Sequence, residues 1–242
     1  MQNVQFTDIQ DIAADWIREA ATAILFPDVC LCCGVRHSKD YICDYCMRRR
    51  FQNATNNKKR ASGDTLLPDG VVFQHALWEF DKSGSLQNLL HQLKYNHLYG
   101  IGVRLGSGLG RSLKSYRYFN GLQKDNMVLL PVPLHGSKYK IRGYNQARAI
   151  AEGIHRVTRI PLLDNNTVTR SKKTTTQTGL SMKKRLANME AAFRVNQERA
   201  IEGKLVMIVD DVFTTGATSF ELARTLKKAG AAEISIATVA QA

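Results

Sequence analysis

A chain of 242 residues has room for one or two domains, and its 44% hydrophobic and 23% charged content is that of a folded globular protein. No apolar run approaches the ~18 residues that span a bilayer, and acids interrupt the N-terminus where a secretory signal carries a basic region and an apolar core; a cytoplasmic protein without membrane insertion is expected. The net charge of +13 is concentrated in residues 30–60 (+6), 135–148 (+4) and 170–185 (+6), which leaves the remainder at −3 and points to anionic partners, either phosphorylated metabolites or nucleic acid.

The N-terminal stretch 8–26 places Ile9, Ile12, Trp16, Ala20 and Ile24 at helical spacing, with Asp8 able to cap its start and Pro27 ending it, so residues 1–27 are read as an amphipathic helix. Cys30, Cys33, Cys43 and Cys46 follow as C-x2-C-x9-C-x2-C. Two such knuckles offer four thiolates and suit a closed, structural Zn²⁺ site that keeps no open position for catalysis. Cys32 breaks the spacing and is the spare; His37 is a weaker substitute ligand. Basic residues flank the polar Gln52 to Asn57, which reads as a linker out of a zinc unit spanning 28–60. Such a basic tail either tracks a phosphate backbone or is merely solvated.

From residue 61 to 242 the pattern alternates between strand and helix. Val71 to Phe80 reads as a strand and Ser85 to Tyr95 as a helix with Leu86, Leu89, Leu90 and Leu93 on one face. Gly102, Gly106 and Gly110 recur every fourth residue and suggest close helix packing; no apolar strand precedes them and no Gly-Lys-Ser/Thr follows, so a P-loop is excluded. Met127 to Val132 is a short strand. Lys138 to Ile150 begins basic, turns at Gly143 and continues as a helix. Thr169 to Arg185 is polar, basic and threonine-rich, the composition of a long exposed loop.

The stretch 204–218, KLVMIVDDVFTTGAT, is the most informative. The unbroken apolar run Leu205 to Val209 fits a strand covered on both faces, as in parallel sheets, whose ligands bind where strands end. Asp210 and Asp211 stand at that end. Successive strand residues point to opposite faces, so both acids serve one ligand only if the chain is already turning at Asp211. Thr214, Thr215, Gly216, Ala217 and Thr218 then supply hydroxyls and backbone N–H groups before a helix expected from Phe220 to Ala229, a pocket for an anion. Carboxylates repel phosphate and seek hydroxyls or a divalent cation, so a sugar phosphate satisfies both halves. A helix C-terminus at Gly230 and a last strand, Ile234 to Val239, close the chain.

This stretch resembles the 5-phosphoribosyl-1-pyrophosphate (PRPP) signature of the type I phosphoribosyltransferases, with Ala217 where many members carry a second glycine. Together with the four-cysteine unit, Leu90-His-Gln-Leu-Lys-Tyr95, Pro131-Val-Pro-Leu134, Arg142-Gly-Tyr-Asn-Gln-Ala147, Gln177-Thr-Gly-Leu-Ser181, Arg185 and Asn188, it is similar to the ComF family, a group related to amidophosphoribosyltransferase that includes the GntX-type proteins. The resemblance implies an α/β fold of type I phosphoribosyltransferase kind, a parallel sheet flanked by helices, behind a small N-terminal zinc unit. It implies that Asp210 and Asp211 hold the ribose hydroxyls and residues 214–218 the 5′-phosphate. In naturally transformable bacteria it implies a part in uptake of single-stranded DNA.

Two functions are compatible with these residues. An enzyme would bind PRPP with Mg²⁺, and Arg142, Lys172 and Lys173 are candidates to neutralise the pyrophosphate as the sugar becomes electron-poor; no residue names the acceptor. A non-catalytic module would instead hold single-stranded DNA on the basic stretches, with Phe51, Tyr139 or Tyr144 stacking on bases.

Overall fold

The computed structural model describes residues 29–36, 41–55, 58–59, 67, 70–122, 124–171 and 192–242. The helix expected over 8–26, His37, Lys172 and Lys173, and the motif residues 177–188 lie outside them. Seven strands are described: β1 (Lys58–Lys59), β2 (Val71–Glu79), β3 (Met127–Pro131), β4 (Val168–Arg170), β5 (Phe193–Val195), β6 (Leu205–Phe213) and β7 (Glu233–Gln241). The helices are α1 (Asp44–Arg49), α2 (Ser85–Tyr95), α3 (Tyr99–Ser115), α4 (Arg117–Asn120), α5 (Gly136–Arg142), α6 (Gln146–Thr158) and α7 (Ala217–Lys228).

The main sheet has the order β1-β2-β7-β6-β3, with β2, β7, β6 and β3 mutually parallel and β1 antiparallel at one edge. Period-two alternation along the central strands builds its two cores. Leu129, Met207, Val209 and Ala237 pack with Leu93 of α2, Leu105 and Leu109 of α3 and Ile150 of α6. Val128, Val206, Ile208 and Ile236 pack with Leu222 and Leu226 of α7. Both faces of β6 are therefore dry, which is why its apolar run is unbroken, and the expected helix-flanked parallel sheet is the one observed.

The glycine stripe closes α3 against α6. A Cβ at Gly106 would fall 1.9 Å from the carbonyl oxygen of Ile150, and one at Gly153 2.2 Å from that of Val103. The helices meet backbone to backbone. Gly106→Ala is expected to lower stability by about 3 kcal/mol or more, since a backbone carbonyl cannot rotate aside and the ~1 kcal/mol gain in helix propensity does not offset the clash. Gly136→Ala, where no atom lies within 4 Å, is the control. Urea midpoints of the two variants check this; equal midpoints would refute the packing argument.

Two expectations are corrected. Of the expected linker Gln52 to Asn57, residues Gln52 to Ala54 are paired with β2: Ala54 N–H donates to the Leu77 carbonyl (3.2 Å), the Gln52 carbonyl accepts from Glu79 N–H (2.9 Å), and Asn53 bridges Trp78; Asn56 and Asn57 lie outside the described residues. The edge of β2 offers unpaired backbone groups, and this segment satisfies them. Cys30, Ile42, Cys46 and Met47 accordingly share one core with Trp78 and Leu86. Thr169 and Arg170, expected in the long loop, instead lie in β4, paired antiparallel with β5, because Val168 and Phe193 bury against the second core.

Candidate functional site

The carboxyl ends of the four parallel strands lie at one edge of the sheet. There β3 stops at Pro131, opposite Val209, while β6 continues to Phe213 with β7 beside it, Asp210 opposite Thr238 and Phe213 opposite Gln241. The strand does not turn at Asp211, because β7 keeps supplying hydrogen-bond partners to its end. Its period of two slips between Val209 and Val212, since both pack against the first core while Phe213 packs with the second. Asp211 belongs to the α2 face, where its carboxylate is ion-paired with Lys94 of α2. The Asp210 charge acts on Arg170 of β4 and, with that of Asp211, on Lys94. What brings the two acids toward one place is their local bonding: Asp210 Oδ1 accepts from Asp211 N–H and Asp211 Oδ1 from Val212 N–H, each at 2.9 Å. Both carboxylates thus lean forward along the strand.

Helix α7 begins at Ala217, three residues earlier than Phe220. Gly216 caps it with φ 75°, and a Cβ there would lie 2.5 Å from the Phe220 ring. Only glycine fits. A glycine N-cap has no side chain to offer the first-turn N–H groups, so the first-turn donors that Thr215 does not take remain available to an anion in the turn. Among the described contacts, Thr215 Oγ1 reaches only Ala217 N–H, at 3.5 Å.

Lys94 is the residue missed in the sequence. It lies within the Leu90 to Tyr95 motif but carried no assigned role. Its placement depends on a tie between α2 and the turn joining α5 to α6: Tyr144 hydroxyl donates to the Leu93 carbonyl, Gly143 takes φ 73° to end α5, and the Arg142 guanidinium lies 5.5 Å over the Tyr95 ring. Arg142 thus stands beside Tyr95, where its charge acts on Lys94. Lys138 of α5 and Arg170 of β4 also feel Asp210, and both fell inside the basic stretches without being singled out. Beside them a cavity of about 560 Å³ is lined by Pro133, Tyr139, Lys140, Asn145, Thr169 and Arg170.

Electrostatics separate the acids. Burial raises the Asp210 pKa, and the neighbouring Asp211 charge adds to it, to about 8. Burial acts on Asp211 in the same sense, but the Lys94 ammonium overrides it and holds Asp211 below the ordinary carboxylate range. The same pairing, working against burial, raises Lys94. One ammonium serves two close carboxyl groups, so one ionises fully and the other keeps its proton until more positive charge arrives. An ionised acceptor beside a carboxyl able to donate suits hydroxyl groups of a sugar.

The cysteine expectation has a clear geometric counterpart. Sulfurs of Cys30, Cys33, Cys43 and Cys46 all lie within 4.8 Å of one another. Cys33 and Cys43 sulfurs are 3.8 Å apart, the ~3.8 Å separation that two thiolates on a tetrahedral zinc at ~2.3 Å would have. Cys30 Sγ accepts from the N–H groups of Cys32 and Cys43, and Cys43 Sγ from Cys46 N–H, each at 3.4 Å. Burial opposes ionisation of Cys30, yet these donors outweigh it and bring its pKa to about 6, in favour of a metal-binding thiolate. Burial, aided by the Cys30 charge, pushes Cys32 up to about 12, and it lies outside the cluster.

Comparison with known proteins agrees with this architecture. The family model described as phosphoribosyl transferase domain matches residues 142–242, a span that includes Arg142, the acid pair and the turn. The chain is 34% identical to Competence protein F of Haemophilus influenzae over 158 residues, 65% of this chain and 68% of that one. It is 30% identical over 220 residues to the DNA utilization protein YhgH of Salmonella typhi, covering 87% of this chain and 95% of that one. The chain belongs to the ComF family. A further ComF relative, Competence protein ComFC of Bacillus subtilis, is 36% identical over 107 residues, 44% of this chain and 41% of that one. Lys94 and the four cysteines of this ComF family chain precede the segment matched by the phosphoribosyl transferase model. Among the described residues no helix is long and apolar enough to cross a membrane.

Proposed function

We propose that this ComF family protein binds PRPP or a related phosphoribosyl compound at the carboxyl end of its sheet and transfers the phosphoribosyl group to an acceptor. The observation that carries this reading is the pair of forward-leaning acids, one neutralised by Lys94, beside a glycine-capped helix N-terminus. The 5′-phosphate goes to the turn of Thr214, Thr215, Gly216, Ala217 and Thr218, where N–H donors and the helix dipole favour an anion. The ribose hydroxyls go to Asp210 and Asp211. The pyrophosphate is directed toward Arg142, Lys138 and Arg170, with Lys172 and Lys173 as further candidates. Breaking the C1′–O bond sends an electron pair to the departing pyrophosphate, and these cations stabilise the charge that develops there. Mg²⁺ bound with PRPP would neutralise part of the same charge.

The N-terminal cysteines are assigned to one structural Zn²⁺, in a unit spanning 28–60 between an N-terminal helix (1–27) and the phosphoribosyltransferase-like domain (61–242), in a cytoplasmic protein. The names of the relatives, DNA utilization and competence, favour a second reading of the biological role, the handling of single-stranded DNA during uptake on the basic stretches. Calorimetry of PRPP with Mg²⁺ tests the site. Wild type is expected to bind, and Asp210→Asn/Asp211→Asn to weaken binding at least about tenfold through lost charge-assisted hydrogen bonds. Equal affinity in the two proteins would remove the acids from the site.

A further inference from the structure

A second concave site lies at the seam between the cysteine unit and the main domain. Helix α3 carries Arg104, Gly108 and Arg111 at spacings of four and three, which puts them on one face. Arg48 of α1 joins them around a cavity of about 440 Å³. The cavity shares no lining residue with the acid pair or the turn. Its size is within the ~300–1,000 Å³ of small-molecule sites.

Gly108 makes the seam possible. A Cβ there would stand 2.5 Å from the terminal methyl of Met47, so the absent side chain lets Met47 lie flat against α3. Leu77 and Trp78 complete an apolar lining. The rim is cationic. Among the lining residues the one acid is Asp44, and it is already engaged: Arg104 Nη2 donates to Asp44 Oδ1 at 2.5 Å while Arg104 Nε donates to the Ile42 carbonyl at 3.3 Å. Three guanidinium groups against one carboxylate leave the cavity an excess of two positive charges. Arg48 and Arg111 also act on Asp44, in accord with their facing the same space. Like charges drawn around a cavity repel one another unless an anion is shared between them.

We propose that this seam binds a phosphate monoester of nucleotide size, its phosphate between Arg48 and Arg111 and its base on the Met47 and Leu77 floor. A monoester carries about −1.5 to −2 charges at neutral pH and matches the excess of two, whereas an internal phosphodiester brings one. Guanidinium forks suit the tetrahedral oxygens. Because the floor belongs partly to α1 and the rim partly to α3, an occupant would also fasten the cysteine unit to the main domain.

The probe is 2′-deoxythymidine 5′-monophosphate, which lacks the vicinal diol that the acid pair recognises. Binding to the full-length, zinc-loaded chain is read through Trp78 emission in a Trp16→Phe background. The expected result is saturable binding that weakens at least about tenfold in Arg48→Gln/Arg111→Gln and is unchanged in Asp210→Asn/Asp211→Asn. Both arginines are exposed, so the variant should keep its zinc content and melting temperature. PRPP affinity measured on the arginine variant should equal that of wild type, which separates this site from the phosphoribosyl site whatever the fate of either. Undiminished binding by the arginine variant overturns the proposal. So does loss of binding in the acid variant alone, or an oligothymidylate without terminal phosphates that competes as well as the mononucleotide.

Discussion

Removing the proposed zinc, by chelation or by Cys46→Ser, is expected to unfold the cysteine unit and expose Trp78. Structural zinc in peptides of this kind contributes on the order of 10 kcal/mol, more than a unit of this size gains from its own apolar contacts. Cys46 is fully buried and packs in the same core as Ile42, Met47 and Trp78, whose ring lies 4.5 Å from that of Phe51. Without metal the four sulfurs lose their common partner, and only the packing of Ile42 and Met47 on the shared core and the bonds from Arg104 to Asp44 and Ile42 remain to hold the unit. The main sheet retains its two cores and should remain folded. The measurement is metal content, with one zinc per chain expected, together with Trp78 emission in a Trp16→Phe background before and after chelation. A red shift should accompany zinc loss, and Cys32→Ser should keep both metal and emission. A metal-free protein with unchanged Trp78 emission and melting temperature would overturn the assignment of Cys30, Cys33, Cys43 and Cys46.

The second large effect is expected at Lys94. Lys94→Met removes the only ammonium ion-paired with Asp211 among the described contacts and leaves a carboxylate with 13% of its side-chain surface exposed. Stranding a buried charge costs ~3–5 kcal/mol; since Lys94 itself keeps 27% exposure, solvent screening places the expected loss at about 3 kcal/mol. Adding Asp211→Asn removes the stranded charge, so the double variant should recover most of that stability. Binding should not recover with it, because the anionic hydroxyl acceptor is then gone. Urea midpoints and PRPP calorimetry on wild type, both single variants and the double variant form a complete cycle. A Lys94→Met protein as stable as wild type would show that the pair is solvated and that Lys94 does not govern the Asp211 charge.

Much of this protein is written locally. Two apolar residues of opposite parity on each central strand identify a sheet covered on both faces, and the run 205–209 does so without help from any other segment. The C-x2-C spacing names the thiols because in each knuckle a sulfur accepts from an N–H two or three residues on, Cys30 from Cys32 and Cys43 from Cys46. The composition of 214–218 marks a glycine-capped turn into a helix, since a left-handed φ at Gly216 is a property of the segment itself. The four-residue glycine period signals close helix packing, as Gly102, Gly106 and Gly110 display against α6.

Other features are decided only when distant segments meet. Asp211 looks like half of an equal pair in the sequence, and becomes the ionised half because α2 carries Lys94 to it. No local pattern encodes that pairing, as a lysine at the end of a helix is ordinarily solvated. Whether β6 turns at Asp211 is set by how far β7 runs beside it. The fate of Gln52 to Ala54 follows from the unpaired edge of β2, and that of Arg170 from a partner strand beyond a long polar segment. Periodicity, knuckles and turns depend on neighbours within a few residues, so the sequence determines them alone; charge state, strand ends and the arginine-lined seam depend on which surfaces the packed core brings face to face, and only the tertiary structure decides those.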